Sequence, residues 1–153
     1  MGHVQRLSDQ RHWFSQTEYT YAPYSQTTSE QDLWEENNPE EADFIANLIK
    51  DSYGAGLTPA DVAVITPFRR QVRLIRETVK NKIESELPLI DTVERLQGQD
   101  VDLIIISMVT TSPAYYRSVR GFLLNRNRLN VMISRAKKKV LILKSDMINL
   151  NIV

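Results

Sequence analysis

Short, continuous apolar runs rich in β-branched residues alternate along this chain with stretches of helical periodicity. Pro, Gly and Asn mark the joins. That alternation predicts an α/β fold: a mostly parallel sheet with helices on both faces. The runs Asp61-Val62-Ala63-Val64-Ile65-Thr66 and Leu103-Ile104-Ile105-Ile106-Ser107-Met108-Val109 are apolar almost throughout, as strands buried on both faces must be. Between them, Val72, Ile75, Val79 and Ile83 recur at helical spacing.

The elements follow in order. Residues 1–31 are rich in Ser, Thr, Gln and Tyr without a clear period, and read as a loosely packed extension with one strand near Tyr19 to Tyr21; the domain proper is 32–153. At Asn38-Pro39-Glu40-Glu41 an Asn cap, a proline at the first helical position and acids in the first turn predict a helix start. Its buried face is Ala42, Ile45, Leu48 and Ile49, and Gly54 and Gly56 end it around Tyr53. The first strand stops at Pro67. A second helix starts at Arg69, Pro88 precedes a brief strand from Leu89 to Val93, and a loop spans Glu94 to Asp100. After Val109 the sequence predicts a polar loop through Thr110, Pro113 and Tyr115 to Gly121. A third helix from Asn125 to Ala136 and a last strand from Lys139 to Leu143 complete the domain. Ligands of such sheets sit at the carboxyl ends of the strands. Thr66-Pro67-Phe68-Arg69, Gln97-Gly98 and Val109-Thr110 are expected there.

Composition narrows the function. The chain has 153 residues, no cysteine and only His3 and His12 as possible imidazole ligands, so neither disulfides nor a structural metal is expected. No apolar run approaches the roughly 20 residues of a membrane span, and no secretory signal stands at the start, so a soluble intracellular protein without a membrane partner is expected. Net charge is zero, but the charges are segregated. Acids dominate from Glu30 to Asp61, whereas from Leu103 to Ser145 there is none. That second stretch carries Arg117, Arg120, Arg126, Arg128, Arg135, Lys137, Lys138, Lys139 and Lys144. Such a block is either a solvated basic face or a footprint for phosphates.

Three segments in fixed order carry a resemblance. Val64-Ile65-Thr66-Pro67-Phe68-Arg69-Arg70-Gln71 is a strand ending in Thr-Pro-aromatic, followed by Gln. Asp91-Thr92-Val93-Glu94-Arg95-Leu96-Gln97-Gly98-Gln99-Asp100-Val101-Asp102 is a Val-acid-x-x-Gln-Gly pattern running into a buried strand, and Arg128-Leu129-Asn130-Val131-Met132-Ile133-Ser134-Arg135-Ala136-Lys137 is Arg-Leu-Asn-Val followed by Ser-Arg-Ala. Together, over about Asn38 to Leu143, they resemble the second motor domain of superfamily 1B helicases, the nonsense-mediated-decay and senataxin-like branch. The resemblance implies a RecA-like, P-loop NTPase-type domain that binds ATP and Mg and translocates on single-stranded DNA or RNA, usually 5′ to 3′.

By that resemblance Arg135 is the arginine finger, supported by Arg128. Seven residues apart on one helix, the two return to nearly the same face about 10 Å apart, so both guanidiniums can face one polyphosphate. Gln97, Gly98 and Asp100 form a nucleotide edge, with Asp100 standing where the family has Glu and Leu96 where it has Phe. Thr66, Pro67, Phe68, Arg69 and Thr110 contact the strand. Phe68 either does so or packs in the core, and Thr110 replaces the family's Arg.

No GxxxxGK[ST] loop is present, since none of the five glycines precedes a lysine. The Walker A half is therefore expected in a first RecA-like domain of the same longer chain, which holds most of the ATP and Mg and leaves this fragment inactive alone. The competing expectation is a stand-alone α/β nucleic-acid-binding module. A small-molecule enzyme on a doubly wound sheet would need a Gly-rich turn or a convergent acid/base pair, and neither is visible.

Overall fold

The computed structural model describes residues 34–150, so the extension and the strand expected near Tyr19 lie outside the described residues. Within them the chain runs α1 (Pro39–Gly54), β1 (Val62–Ile65), α2 (Arg69–Lys82), β2 (Leu89–Asp91), β3 (Val101–Ser107), α3 (Pro113–Leu123), α4 (Arg126–Ser134) and β4 (Ala136–Leu143). The four strands form one all-parallel sheet in the order β2-β1-β3-β4.

Strand periodicity explains the two cores. Val62 and Val64, Leu103 and Ile105, Leu141 and Leu143 project to the face covered by Ala42, Ile45, Ala46 and Ile49 of α1 and Val72, Ile75 and Val79 of α2. Ala63 and Ile65, Ile104 and Ile106, Val140 and Ile142 project to the other, where Leu123, Leu129 and Met132 of α3 and α4 pack. Because both faces are covered, both parities of each strand must be apolar, hence the continuous runs. Each fully buried Ile, Leu or Val contributes about 1.5–3 kcal/mol, so the sheet is the main stabilising element.

Local chemistry sets the ends. Asn38 accepts from Glu41 N at 3.0 Å to cap α1, and Asn125 accepts from Arg128 N at 3.1 Å to cap α4. Thr58 N and Oγ1 donate to Asp61 Oδ2 at 2.8 and 2.9 Å. These bonds hold Asp61 in a 3-10 turn and delay β1 to Val62.

Several boundaries depart from expectation. The expected polar loop after β3 contains α3: Ser112 caps it, Pro113 opens it, and Tyr115, Val119 and Leu123 recur every fourth residue against the sheet. β3 spans Val101–Ser107 and ends before Val109, whose φ of 69° breaks the strand. α4 stops at Ser134, so Arg135 is its C-cap and Ala136 already belongs to β4.

Topology places the crevice. From β1 the chain winds through α2 to β2 on one side, whereas from β3 it winds through α3 and α4 to β4 on the other. The neighbouring carboxyl ends of β1 and β3 therefore face diverging connections, the usual position of a ligand crevice in such sheets.

Candidate functional site

At those carboxyl ends the polar groups are buried and bound to one another. Glu41 Oε1 accepts from Ser107 Oγ at 2.6 Å and from Val109 N at 3.2 Å. Asn38 Nδ2 donates to Val109 O at 3.1 Å. Gln71 accepts from Asn38 N at 2.7 Å and donates to Asn38 O and Ser107 Oγ at 3.1 and 3.2 Å. Asn38, Glu41, Gln71 and Ser107 are all 0% exposed. Burial pushes the Glu41 carboxyl from 4.5 up to about 7, against the lowering pull of the Ser107 and Val109 bonds. The network also pins Val109 from both sides of its peptide. A positive φ is unusual for a β-branched residue and persists only where surroundings enforce it. The sequence marks Glu41 only as a first-turn acid; the Asn38 and Gln71 motif positions were the available signal, but nothing local showed that they meet.

Beside this network Thr66 is 0% exposed and its Oγ1 has no partner among the described residues. It lines a cleft with Pro67, Thr92, Glu94, Met108, Phe122 and Arg128. The cleft is narrow, with room for a water and not for a nucleotide. Arg128 sits at this cleft, donating to Glu94 at 2.5 Å with its guanidinium 4.5 Å over the Phe122 ring. That bond holds the Glu94 carboxyl down to about 2.

Phe68 takes the core alternative. It is 8% exposed and packs 6.4 Å from Tyr115 and 6.1 Å from Phe122, ring centre to ring centre. Pro67 is half-buried and Arg69 exposed. Thr110 is buried and donates to Glu35 O at 2.8 Å, one of several bonds by which residues 34–36 lie over the start of α3. Glu36 there accepts from Tyr115 Oη at 2.8 Å and pairs with Arg70 at 3.4 Å.

The remaining expected residues lie elsewhere. Gln97 and Gly98 sit on the run into the amino end of β3, not at a carboxyl end, because the chain must return along the sheet to enter β3 in parallel. Gly98 turns there with φ +78°, a conformation that a Cβ penalises. Arg135 N–H and C=O lie at the same end: its carbonyl accepts from Val101 N at 3.0 Å, and its Nη1 lies 3.5 Å from Asp100 Oδ1. Lys138 and Asp102 pair alongside at 3.4 Å.

Arg128 and Arg135 thus do not converge as helical spacing suggested. They occupy opposite ends of α4 and meet different carboxylates, because the helix ends one residue before Arg135.

Arg135 Nε is buried with no partner among the described residues, an orphaned donor matched to an anion, and the Asp100 side chain is 56% exposed.

The all-parallel α/β sheet with helices on both faces is a RecA-like fold. A family model described as an AAA domain matches residues 3–146. The chain is 34% identical over 140 residues, 90% of its length, to the DNA polymerase alpha-associated DNA helicase A of Schizosaccharomyces pombe. It is 32% identical over 110 residues, 72% of its length, to the DNA replication ATP-dependent helicase/nuclease JHS1 of Arabidopsis thaliana. With the human RNA helicase Mov10l1 it shares 35% identity over 112 residues, 69% of its length. The chain belongs to this AAA domain family and, within it, to the superfamily 1 helicases of the nonsense-mediated-decay and senataxin-like branch. It spans 20%, 8% and 9% of the three relatives' lengths.

Proposed function

We propose that the chain is the second motor domain of a longer ATP-dependent helicase, with Arg135 as its arginine finger and the carboxyl-end corner as its grip on single-stranded DNA or RNA. The observation that supports this most is Arg135: a guanidinium with an orphaned donor, held by one exposed carboxylate at the end of a helix whose other end reaches the crevice. An exposed pair of this kind is worth about 0–1 kcal/mol, so a phosphate can take its place at little cost.

With no phosphate loop in this chain, ATP and Mg are held mainly by a first RecA-like domain of the same parent chain, and the fragment alone is inactive. The bound nucleotide supplies phosphoryl transfer to water. Arg135 donates to the γ-phosphate, Asp100 accepts from nucleotide hydroxyls, and Gln97 and Gly98 bring the backbone close. Arg128, tied to Glu94, links the loop after β2 to α4, so movement at Arg135 is passed to the cleft at Thr66. On the strand side Thr66 offers its unsatisfied hydroxyl and Arg69 its charge. Pro67 shapes the corner and Phe68 backs it from the core. Thr110 joins when its bond to the Glu35 carbonyl is exchanged for a phosphate oxygen.

The test is ATP turnover by the intact parent chain, with and without single-stranded oligonucleotides of both sugars, for wild type and Arg135→Ala. Strand-stimulated turnover that the variant loses while still binding ATP is the expected result. Turnover indifferent to both strand and substitution sinks the reading and favours a stand-alone binding module.

A further inference from the structure

The helix α3 was expected to be loop, and its folding turns part of the basic block into a surface. Its inward positions are Tyr115, Val119 and Leu123; Arg117 and Arg120 fall on the exposed side, three residues apart and hence side by side. Arg126, the first residue of α4, is exposed as well. None of these three arginines makes an ion pair among the described residues. Arg69 and Arg73 of α2 share this lack, whereas five other arginines find acids: Arg70 meets Glu36, Arg76 and Arg95 meet Asp91, Arg128 meets Glu94 and Arg135 meets Asp100. Residues 103–145 contain no acid, so an arginine there pairs only where the fold brings an acid from outside, as Glu94 to Arg128 and Asp100 to Arg135, and no such acid reaches Arg117, Arg120 or Arg126 among the described residues.

Like charges three apart on a helix repel, so this arrangement disfavours the isolated domain and is relieved by a polyanion. α3 also starts directly after Thr110, Thr111 and Ser112, so its arginines extend outward from the carboxyl-end corner. From Pro113 to Arg120 the helix advances about 10 Å, enough to carry a backbone contact well past that corner.

We propose that Arg117, Arg120 and Arg126 form a second phosphate-contacting surface that holds the nucleic-acid strand where it leaves the carboxyl-end corner. The inference rests on the strand-gripping reading above. Arginine suits the role because its planar fork donates bidentately to phosphate oxygens and stays charged. The contacts carry no base information, as a motor that moves along any sequence requires.

The experiment measures binding of the intact parent chain to fluorescent oligothymidylate and oligouridylate between about 50 and 200 mM salt. Each single-strand phosphate contact contributes about 0.7 to the slope of log affinity against log salt, so the variant Arg117→Ala/Arg120→Ala/Arg126→Ala is expected to flatten that slope by about 2. The corresponding triple lysine variant, which keeps the charge, is expected to retain it. An alanine variant with the wild-type slope overturns the α3 surface while leaving the strand reading intact. A lysine variant that loses the slope as the alanine variant does also overturns it, since charge is then not the cause. Wild type that binds neither oligonucleotide at any salt overturns the strand reading itself.

Discussion

Around Glu41, at the carboxyl ends of β1 and β3, the polar groups are withdrawn from solvent and satisfy one another, whereas at the amino ends of β3 and β4 the charges stand in ion pairs that solvent reaches. Glu41, Asn38, Gln71 and Ser107 are fully buried, and each bond among them was made in place of water. Asp100 with Arg135 is open to solvent on the carboxylate side, and Asp102 with Lys138 on the ammonium side. The first arrangement is stiff, because removing one member leaves buried donors orphaned. The second is exchangeable, because breaking an exposed pair costs little. The proposed function uses both kinds of site, a fixed corner and a charge that can re-partner, with α4 running between them.

The largest effect expected from breaking this contrast is at the exchangeable end. Arg135→Ala in the parent chain is expected to lower ATP turnover by about a thousandfold, the usual scale for an arginine finger, with ATP binding kept. Urea unfolding of the same variant checks that its stability is little changed. A variant that unfolds more easily but turns over normally would place Arg135 among structural residues.

At the stiff end the effect falls on stability. Glu41→Ala strands Ser107 Oγ and Val109 N and is expected to cost about 2–4 kcal/mol in urea unfolding. The pH dependence sharpens the point. Because burial raises the Glu41 carboxyl from 4.5 to about 7, the fold prefers it protonated. Its contribution is therefore fully present below about pH 4.5, is lost as pH rises through about 7, and amounts to about 3 kcal/mol. Glu41→Gln is expected to remove that decline, which unfolding midpoints at about pH 5 and pH 8 measure. An equal decline in the variant assigns it to another group.

Smaller effects return to the amino end. Gly98→Ala forces a Cβ into φ +78° and is expected to cost about 1 kcal/mol of stability, although nothing lies within 4 Å of the added carbon. A thermal melt showing no loss would mean that the turn can relax. Asp100→Asn breaks only an exposed pair and is expected to change stability by less than about 0.5 kcal/mol. A loss of several kcal/mol there would erase the distinction between the two ends.

The helices α1 and α2 and the central strands were legible because their periods and caps are local. Asn38-Pro39 and the apolar run ending at Thr66 mark their own boundaries. The start of α3 was equally available: Ser112-Pro113 repeats the cap-and-proline signal of Asn38-Pro39. The polar and aromatic residues after it masked a four-residue spacing. At the site, the structure brings Arg135 within 3.5 Å of Asp100, a meeting of two motifs that no local pattern indicated. Gln97 and Gly98 lie at the amino end of β3 and not at a carboxyl end, and Arg128 meets Glu94, a contact the motif spacing did not indicate.

By itself the sequence determined the class of fold, the buried strands and the family. Apolar parity, caps and motif order depend on neighbours along the chain, and each could be read without knowing where the chain goes next. Tertiary structure alone decided that Glu41 is buried against β3, that Thr66 keeps an unanswered hydroxyl, that Phe68 turns inward, and that Arg128 and Arg135 meet different carboxylates toward opposite ends of α4. Those outcomes depend on which residues meet across separations of 30 to nearly 70 positions, such as Asn38 with Gln71 at 33 and Glu41 with Val109 at 68. Burial and hydrogen-bond satisfaction at such distances are properties of packing, which no local pattern encodes.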